Sequence, residues 1–247
     1  TARSIWQISS HPIDERYRMI ELINRTAEAD ISRAHTDFVA NASHELRTPL
    51  ASIIGYMETL ADADQDVDPK TTKRFYDTVL REAKRLQSLV EDLMSLSRIE
   101  AEKHDTPGEK VELNGLAAQA ARDAGTPEDK PRVTIGKAAV PLFVRGDRRQ
   151  LEQLVRNLVD NALKYGAQDE VGSVELSADE GRSAVLKVRD RGEGIAAEHI
   201  PHLTRRFYRT DPGRSRAAGG TGLGLAIVKH IVERHRGKLD IASKQGE

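Results

Sequence analysis

Val39, Leu46, Ile53 and Leu60 recur every seven residues, with Leu50 and Met57 between them, and this pattern constrains the chain more than any other. A second run, Val79, Leu86 and Leu93 with Leu89 and Leu96, repeats it beyond the link DADQDVDPK. Seven-residue apolar spacing belongs to amphipathic helices that pack along a single stripe. Two such helices joined by a short link make an antiparallel hairpin. One hairpin has nothing to cover its stripe, so dimerisation into a four-helix bundle is expected.

The first helix carries two unusual residues, in the stretch SHELRTPL. At ~100° per residue, His44 lies roughly 140° from the Leu46–Leu50 stripe. It therefore faces away from the core, and Thr48, one turn later, shares its face. Periodicity alone leaves His44 either an ordinary surface histidine or a functional one. Pro49 has no N–H to offer the carbonyl of Glu45, so a bend is expected one turn beyond His44.

From residue 111 the pattern changes. RVTIG, PLFVRG, GSVELSA and SAVLKVRD are short, β-branched-rich runs bounded by Gly, Pro or Asp and read as strands. DRRQLEQLVRNLVDNALKYG and GLGLAIVKHIVERH read as helices, the former with Leu151, Leu154, Val155, Leu158, Val159 and Ala162 on one apolar face. The expectation is an α/β sandwich with helices on one face of a mixed sheet.

Composition excludes several classes. Lys+Arg number 38 against 39 Asp+Glu, a net charge of −1, which does not suit a basic nucleic-acid binder. There is no cysteine, hence no disulfide, thiolate chemistry or Cys-type zinc site, as fits a reducing cytosol. No apolar run approaches the ~18 residues of a spanning helix. The opening TARSIWQ lacks an initiator Met and reads as a fragment. The expected location is the cytoplasm, with any membrane attachment through segments outside this chain.

Three polar constellations lie on the C-terminal scaffold. Asn157, Asn161, Lys164 and Tyr165 form a stripe beside the apolar face of their helix. They suit a hydrated cation, phosphate oxygens and a flat base, or simply a solvated helix end. In DRGEGI, Asp190 is an acceptor next to Gly192 and Gly194, where the backbone permits close approach. That suits an adenine amino group or a plain turn. In GGTGLGLAIVKHI, Gly220, Gly222 and Gly224 open an apolar-periodic helix, an arrangement that presents free N–H groups to an anion. The G-x-x-x-x-G-K-[ST] spacing is absent, and DPGRSRAAGG rather than a strand precedes the glycines, which argues against Walker and Rossmann loops. That preceding stretch reads as a mobile lid. Arg209, beside Phe207 and Tyr208, is placed to reach a polyphosphate when the lid closes.

Taken in order, these motifs resemble the sensor histidine kinases of two-component systems. SHELRTPL resembles their H box, NLVDNALKYG the N box, DRGEGI the G1 box, RRFYRTD the F box and GGTGLGLAIVKHI the G2 box. The resemblance covers roughly residues 30–245, and DFVANASHELRTPL is most like the phosphate-regulon (PhoR-like) group. It implies a dimerisation and histidine-phosphotransfer hairpin over residues 31–103, followed by a GHKL-type (Bergerat) ATP-binding fold over residues 108–247.

The resemblance also implies roles. His44 would be the phosphoacceptor, its neutral imidazole attacking the γ-phosphate of ATP. Glu45 would orient the ring or take its proton. Thr48 would position water for dephosphorylation of a response-regulator receiver domain. Asn161 would hold Mg²⁺ with Asn157 assisting, and Lys164 would contact phosphate. Tyr165 would stack near adenine, Asp190 would accept from its amino group, and Gly192, Gly194, Gly220, Gly222, Leu223 and Gly224 would shape the pocket. The rival readings are an ATP-binding pseudokinase scaffold and another kind of GHKL ATPase. The intact motif residues argue against the first, and the hairpin ahead of the ATP domain against the second.

Three departures stand out. Family F boxes begin Ile-Phe-Glu-Arg, but here Thr204 and Arg205 hold the Phe and Glu positions. The chain stops at SKQGE, before the Gly-rich final strand the resemblance implies. Nothing marks a fused receiver domain, so the regulator is expected to be a separate chain.

Residues 1–30 admit two readings. SIWQISS and RYRMIELI are strand-like around the turn-rich HPIDE, as at the end of a PAS sensor domain. The competing coiled coil would use Ile20, Ala27 and Ala34. A hairpin before about residue 25 and helix after it is the expectation adopted.

Overall fold

The structure is a computed structural model that describes residues 4–62, 68–102, 105–124, 133–136, 140–166, 172–179, 183–211, 213 and 219–246. The chain divides into two compact units, residues 1–83 and 84–247.

The first unit begins with an antiparallel hairpin of β1 (Trp6–Pro12) and β2 (Arg18–Asn24), in register from Trp6↔Asn24 to Pro12↔Arg18. Asp14 closes the turn, its Oδ1 accepting the N–H groups of Arg16 and Tyr17 at 2.7 and 2.8 Å. The hairpin expectation holds, and the competing pattern fails because Ile20 lies in a strand. Helix α1 (Thr26–Ala61) follows and runs through Pro49, its one buried residue. Ser and Thr hydroxyls along α1 donate back to carbonyls one turn earlier, such as Ser43 to Val39 and Thr59 to Gly55.

Helix α2 (Pro69–Ala101) starts with proline at a position where the missing N–H costs nothing. Asp68 caps it, accepting from the Lys70 and Thr71 amides and from the Thr71 hydroxyl at 2.6 Å. These bonds, the hydroxyl first, lower the Asp68 pKa. The rings of Tyr56 and Phe75 meet at 5.1 Å, joining α1 to the start of α2. Residues 63–67 of the link between the two helices lie outside the described residues.

The second unit takes in the last half of α2. Its mixed sheet has the order β4 (Val133–Gly136), β6 (Gly172–Asp179), β7 (Ser183–Arg189), parallel then antiparallel. A smaller antiparallel pair joins β3 (Lys110–Glu112) to β5 (Phe143–Arg145). Helices α3 (Leu113–Asp123), α4 (Arg148–Tyr165) and α5 (Gly224–Arg234) form the second layer, with α4 packed against α3, α5 and the sheet. This is the expected α/β sandwich.

Local chemistry sets these helix starts. Asp147 caps α4 by accepting from Arg149 and Gln150, and Glu112 caps α3 through Asn114 and Gly115. The core centres on Leu116, Val155, Val159, Val174, Ile227 and Ile231. Helix α3 and strand β3 are absent from the sequence-based expectation. The described residues after α5 form no strand; Ser243 Oγ accepts the Ile195 N–H, and the Gly246 N–H reaches the Glu193 carbonyl.

Candidate functional site

The histidine stands in the first unit. His44 is exposed on α1, and the Thr48 hydroxyl donates to its carbonyl at 3.2 Å, so the two occupy one strip of helix as the spacing predicts. Glu45 is half-buried beside them, and Pro49 is buried one residue beyond Thr48. Val39, Leu50, Ile54 and Met57 of the same helix are exposed.

The other constellations converge in the second unit. Asn157 donates to the carbonyl of Gly224 at 3.3 Å. A Cβ on Gly224 would lie 3.9 Å from both Asn157 Cγ and Asn161 Nδ2, so both amides face the first turn of α5. Lys164 and Tyr165 are exposed on the last turn of α4. Asp190 follows β7, where its Oδ1 accepts the Gly192 N–H at 3.0 Å. It lines a pocket between sheet and α4 with Val133, Val159, Ala162, Gly166 and Val174. Gly166 and Gly192 bridge the end of α4 to this loop.

Two glycines meet geometric demands that other residues would not. Gly194 has φ +72, and the backbone at Lys244 crosses where its Cβ would stand. Close approach at this loop is therefore already used by the chain's own tail. Gly222 has φ +74, and its Cβ would come within 3.0 Å of Phe207 Cα. Phe207 itself is left-handed at φ 61, and its N–H donates to the Gly222 carbonyl at 2.8 Å.

Further bonds tie the glycine-rich turn down. Arg209, expected to reach toward a polyphosphate, places its guanidinium on the carbonyls of Gly220 and Thr221 at 3.0 and 2.9 Å. Residues 212 and 214–218 of the expected lid lie outside the described residues. The Thr221 hydroxyl donates to Asp92 Oδ2 at 2.7 Å, and its oxygen receives the N–H of buried Leu223 at 3.2 Å. Burial raises the Asp92 pKa; the Thr221 bond and the Lys164 charge oppose this, and the Glu91 and Asp160 charges add to it.

A second cluster gathers around Glu100 of α2, which pairs with Arg206 of the F box and with His230 of α5, the latter at 3.4 Å. Burial lowers the His230 pKa against the pull of Glu100. Thr204 is half-buried and Arg205 exposed, so the two departures from the usual F box fall beside the Arg206 contact. Asp92, Thr221, Glu100 and Arg206 were not singled out by the sequence. Thr221 sits in a run read only for its glycines, and nothing local marks the two carboxylates.

Residues 34–102 match the His Kinase A (phospho-acceptor) domain, and residues 146–247 match the family of histidine kinase-, DNA gyrase B- and HSP90-like ATPases. The chain belongs to the histidine kinases. Among curated histidine kinases and sensors, the phosphate regulon sensor protein PhoR of Pseudomonas aeruginosa is 39% identical over 96% of this chain and 56% of its own length. The sensor-like histidine kinase SenX3 of Mycobacterium tuberculosis is 36% identical, over 94% of this chain and 56% of its own. The chain thus spans a little over half of the curated relatives it matches. Among solved structures, the Acinetobacter baumannii histidine kinase AdeS aligns over 82% of this chain and 92% of its own with a TM-score of 0.61 and 26% identity. No described helix of this histidine kinase is long and apolar enough to cross a membrane.

Proposed function

We propose that this chain is the kinase region of a PhoR-like sensor histidine kinase, which transfers the γ-phosphoryl group of ATP to His44 and then to an aspartate of a separate response regulator. The observation that carries the reading is the convergence of Asn157 and Asn161 on the first turn of α5, downstream of an exposed histidine in a phosphoacceptor-type domain. Helix-start amides and the helix dipole favour phosphate oxygens there. Asp190, exposed and lining its pocket, supplies an acceptor for the adenine amino group, and Tyr165, exposed on the last turn of α4, a flat surface for the base.

The donor set suits Mg²⁺. Among the described residues there is no cluster of three or more His, Asp or Glu side chains that would hold a metal unaided. Magnesium in kinases takes one or two protein oxygens together with substrate phosphates. Asn161, with Asn157 beside it, would supply the amide oxygen. When bound, the ion would neutralise charge on the transferring phosphate.

This chain's own residues do the rest. One ring nitrogen of His44 attacks the γ-phosphorus, the N–P bond forms as the bond to the ADP oxygen breaks, and Glu45 takes the ring proton. Lys164 steadies the phosphates, and Gly192, Gly194, Gly220, Gly222, Leu223 and Gly224 shape the backbone around the nucleotide. Thr48, on the strip of His44, orients water when the regulator is dephosphorylated. The exposed apolar stripe of α1 supports a homodimer built on a four-helix bundle.

Incubation with labelled ATP and Mg²⁺ tests the reading. The wild-type chain should acquire an acid-labile, base-stable label, and His44→Ala should acquire none. No label on the wild type, with nucleotide still bound, would leave an ATP-binding scaffold instead.

A further inference from the structure

Thr221 lies between Gly220 and Gly222 in a turn whose Gly219 and Gly222 both have positive φ, +69 and +74. Such a turn is costly to order, because glycine gives up more backbone freedom than any other residue. If it must be ordered when a ligand arrives, affinity falls by that amount; if it is already held, affinity is kept. The turn is held from two sides. Arg209 grips its carbonyls, and Thr221 connects it to Asp92 of α2, 129 residues away in sequence.

The direction of the second tether is fixed by chemistry. A carboxylate only accepts, so the Thr221 hydroxyl must donate to Asp92. That leaves a lone pair on the hydroxyl oxygen for the Leu223 N–H, the amide just ahead of α5. Thr221 is 9% exposed, so water competes poorly for this relay.

We propose that Asp92 is a positioning residue for the nucleotide turn: acting from α2, outside the ATPase-type domain, it holds Thr221 so that residues 220–224 stand ready for phosphate. The proposal rests on the assignment of that turn to ATP. Asp92 touches no substrate. Its hydrogen bond, rather than its charge, does the positioning, so an amide at this place serves as well as a carboxylate.

The test uses the full chain and the variants Asp92→Asn, Asp92→Ala, Thr221→Ser and Thr221→Val. Without nucleotide, amide exchange over residues 219–226 should quicken in Asp92→Ala and Thr221→Val. It should stay at the wild-type rate in Asp92→Asn and Thr221→Ser. With Mg²⁺ and a non-hydrolysable ATP analogue, the first two variants should bind up to about tenfold more weakly, the size of one buried hydrogen bond. The double variant should be no weaker than either, and KM for ATP should rise while kcat stays within about twofold.

Unchanged exchange in Asp92→Ala overturns the proposal, as does equal or tighter nucleotide binding in that variant. So does loss of affinity in Asp92→Asn and Thr221→Ser equal to that in Asp92→Ala and Thr221→Val. A wild-type chain that shows the exchange pattern but binds no nucleotide overturns the ATP assignment, while the hold of Asp92 on the turn stands.

Discussion

Residues 4–83 and residues 84–247 treat their apolar side chains in opposite ways. Among the described residues, every buried apolar side chain except Pro49, from Leu89 to Ile231, belongs to the second unit. In the first, Ile8, Ile20, Leu22, Leu50, Ile54 and Met57 are between 44% and 68% exposed. A helical hairpin offers one stripe and nothing to lay against it, whereas a sheet with helices across one face closes a core within a single chain. The second unit adds polar ties across long stretches of sequence: Ser95 to Gln153, Asp92 to Thr221, and Arg234 to Glu102 and Asp147. The contrast separates a part that buries its own apolar side chains from a part that leaves its stripe open.

The most severe challenge to this contrast is a charge on the open stripe. Leu50→Glu should convert the dimer to monomer, raising its dissociation constant by at least about a hundredfold, since a charge would have to be buried without a partner. Light scattering across a dilution series reads this, and an unchanged dimer would remove the stripe from the interface. Unfolding of the second unit should stay as in the wild type.

Next in size is a cavity in the closed part. Leu116 is 2% exposed, so Leu116→Ala should cost about 2–5 kcal/mol in denaturant unfolding. Leu50→Ala, measured at dilution well below its own dimer dissociation constant, should cost under about 1 kcal/mol. Equal costs would erase the distinction between the two units.

The smallest effect concerns pH. The Nε2 atom of His235 accepts the Asp147 N–H at 3.0 Å, while Nδ1 lies 2.7 Å from the Ile231 carbonyl, an arrangement that requires the neutral ring. Burial, and then the Arg234 charge, lower its pKa against the pull of the Ile231 carbonyl and Asp147. A lowered folded-state pKa gives stability that is fully present above the usual 6.5 and is lost as pH falls through the folded value. Stability against thermal unfolding should therefore fall below pH 6.5, and the His235 ring should titrate below that value by NMR. A ring midpoint at or above it would contradict the buried neutral form.

Local patterns made much of this molecule legible in advance. Heptad spacing gave α1 and α2, β-branched-rich runs bounded by Gly, Pro or Asp gave β4 to β7, and motif order gave the family. The outward face of His44 and the shared face of Asn157 and Asn161 followed from helical geometry; a common pocket for those asparagines and the glycine-rich turn was implied only by the resemblance. Helix α3 escaped because LNGLAAQAARD is short and carries its packing on alanines; Ala117, Ala120 and Ala121 are buried but too small to mark a stripe. The bonds of Asp92 and Glu100 escaped for a different reason. Their partners are 129 and 106 residues away, and a charged residue on a helix face has no local mark that distinguishes a tether from a solvated side chain.

Gly194 and Gly222 carry a genetic consequence. A glycine codon mutates silently only at its third base, and every missense change at the first two places a Cβ on the backbone. At Gly222 that atom presses on Phe207, and at Gly194 it meets the carbonyl of Lys244. These two codons should thus be nearly intolerant of missense change in a mutational scan scored on kinase output. Gly55 and Gly108, with open space around them, should accept substitution far more freely.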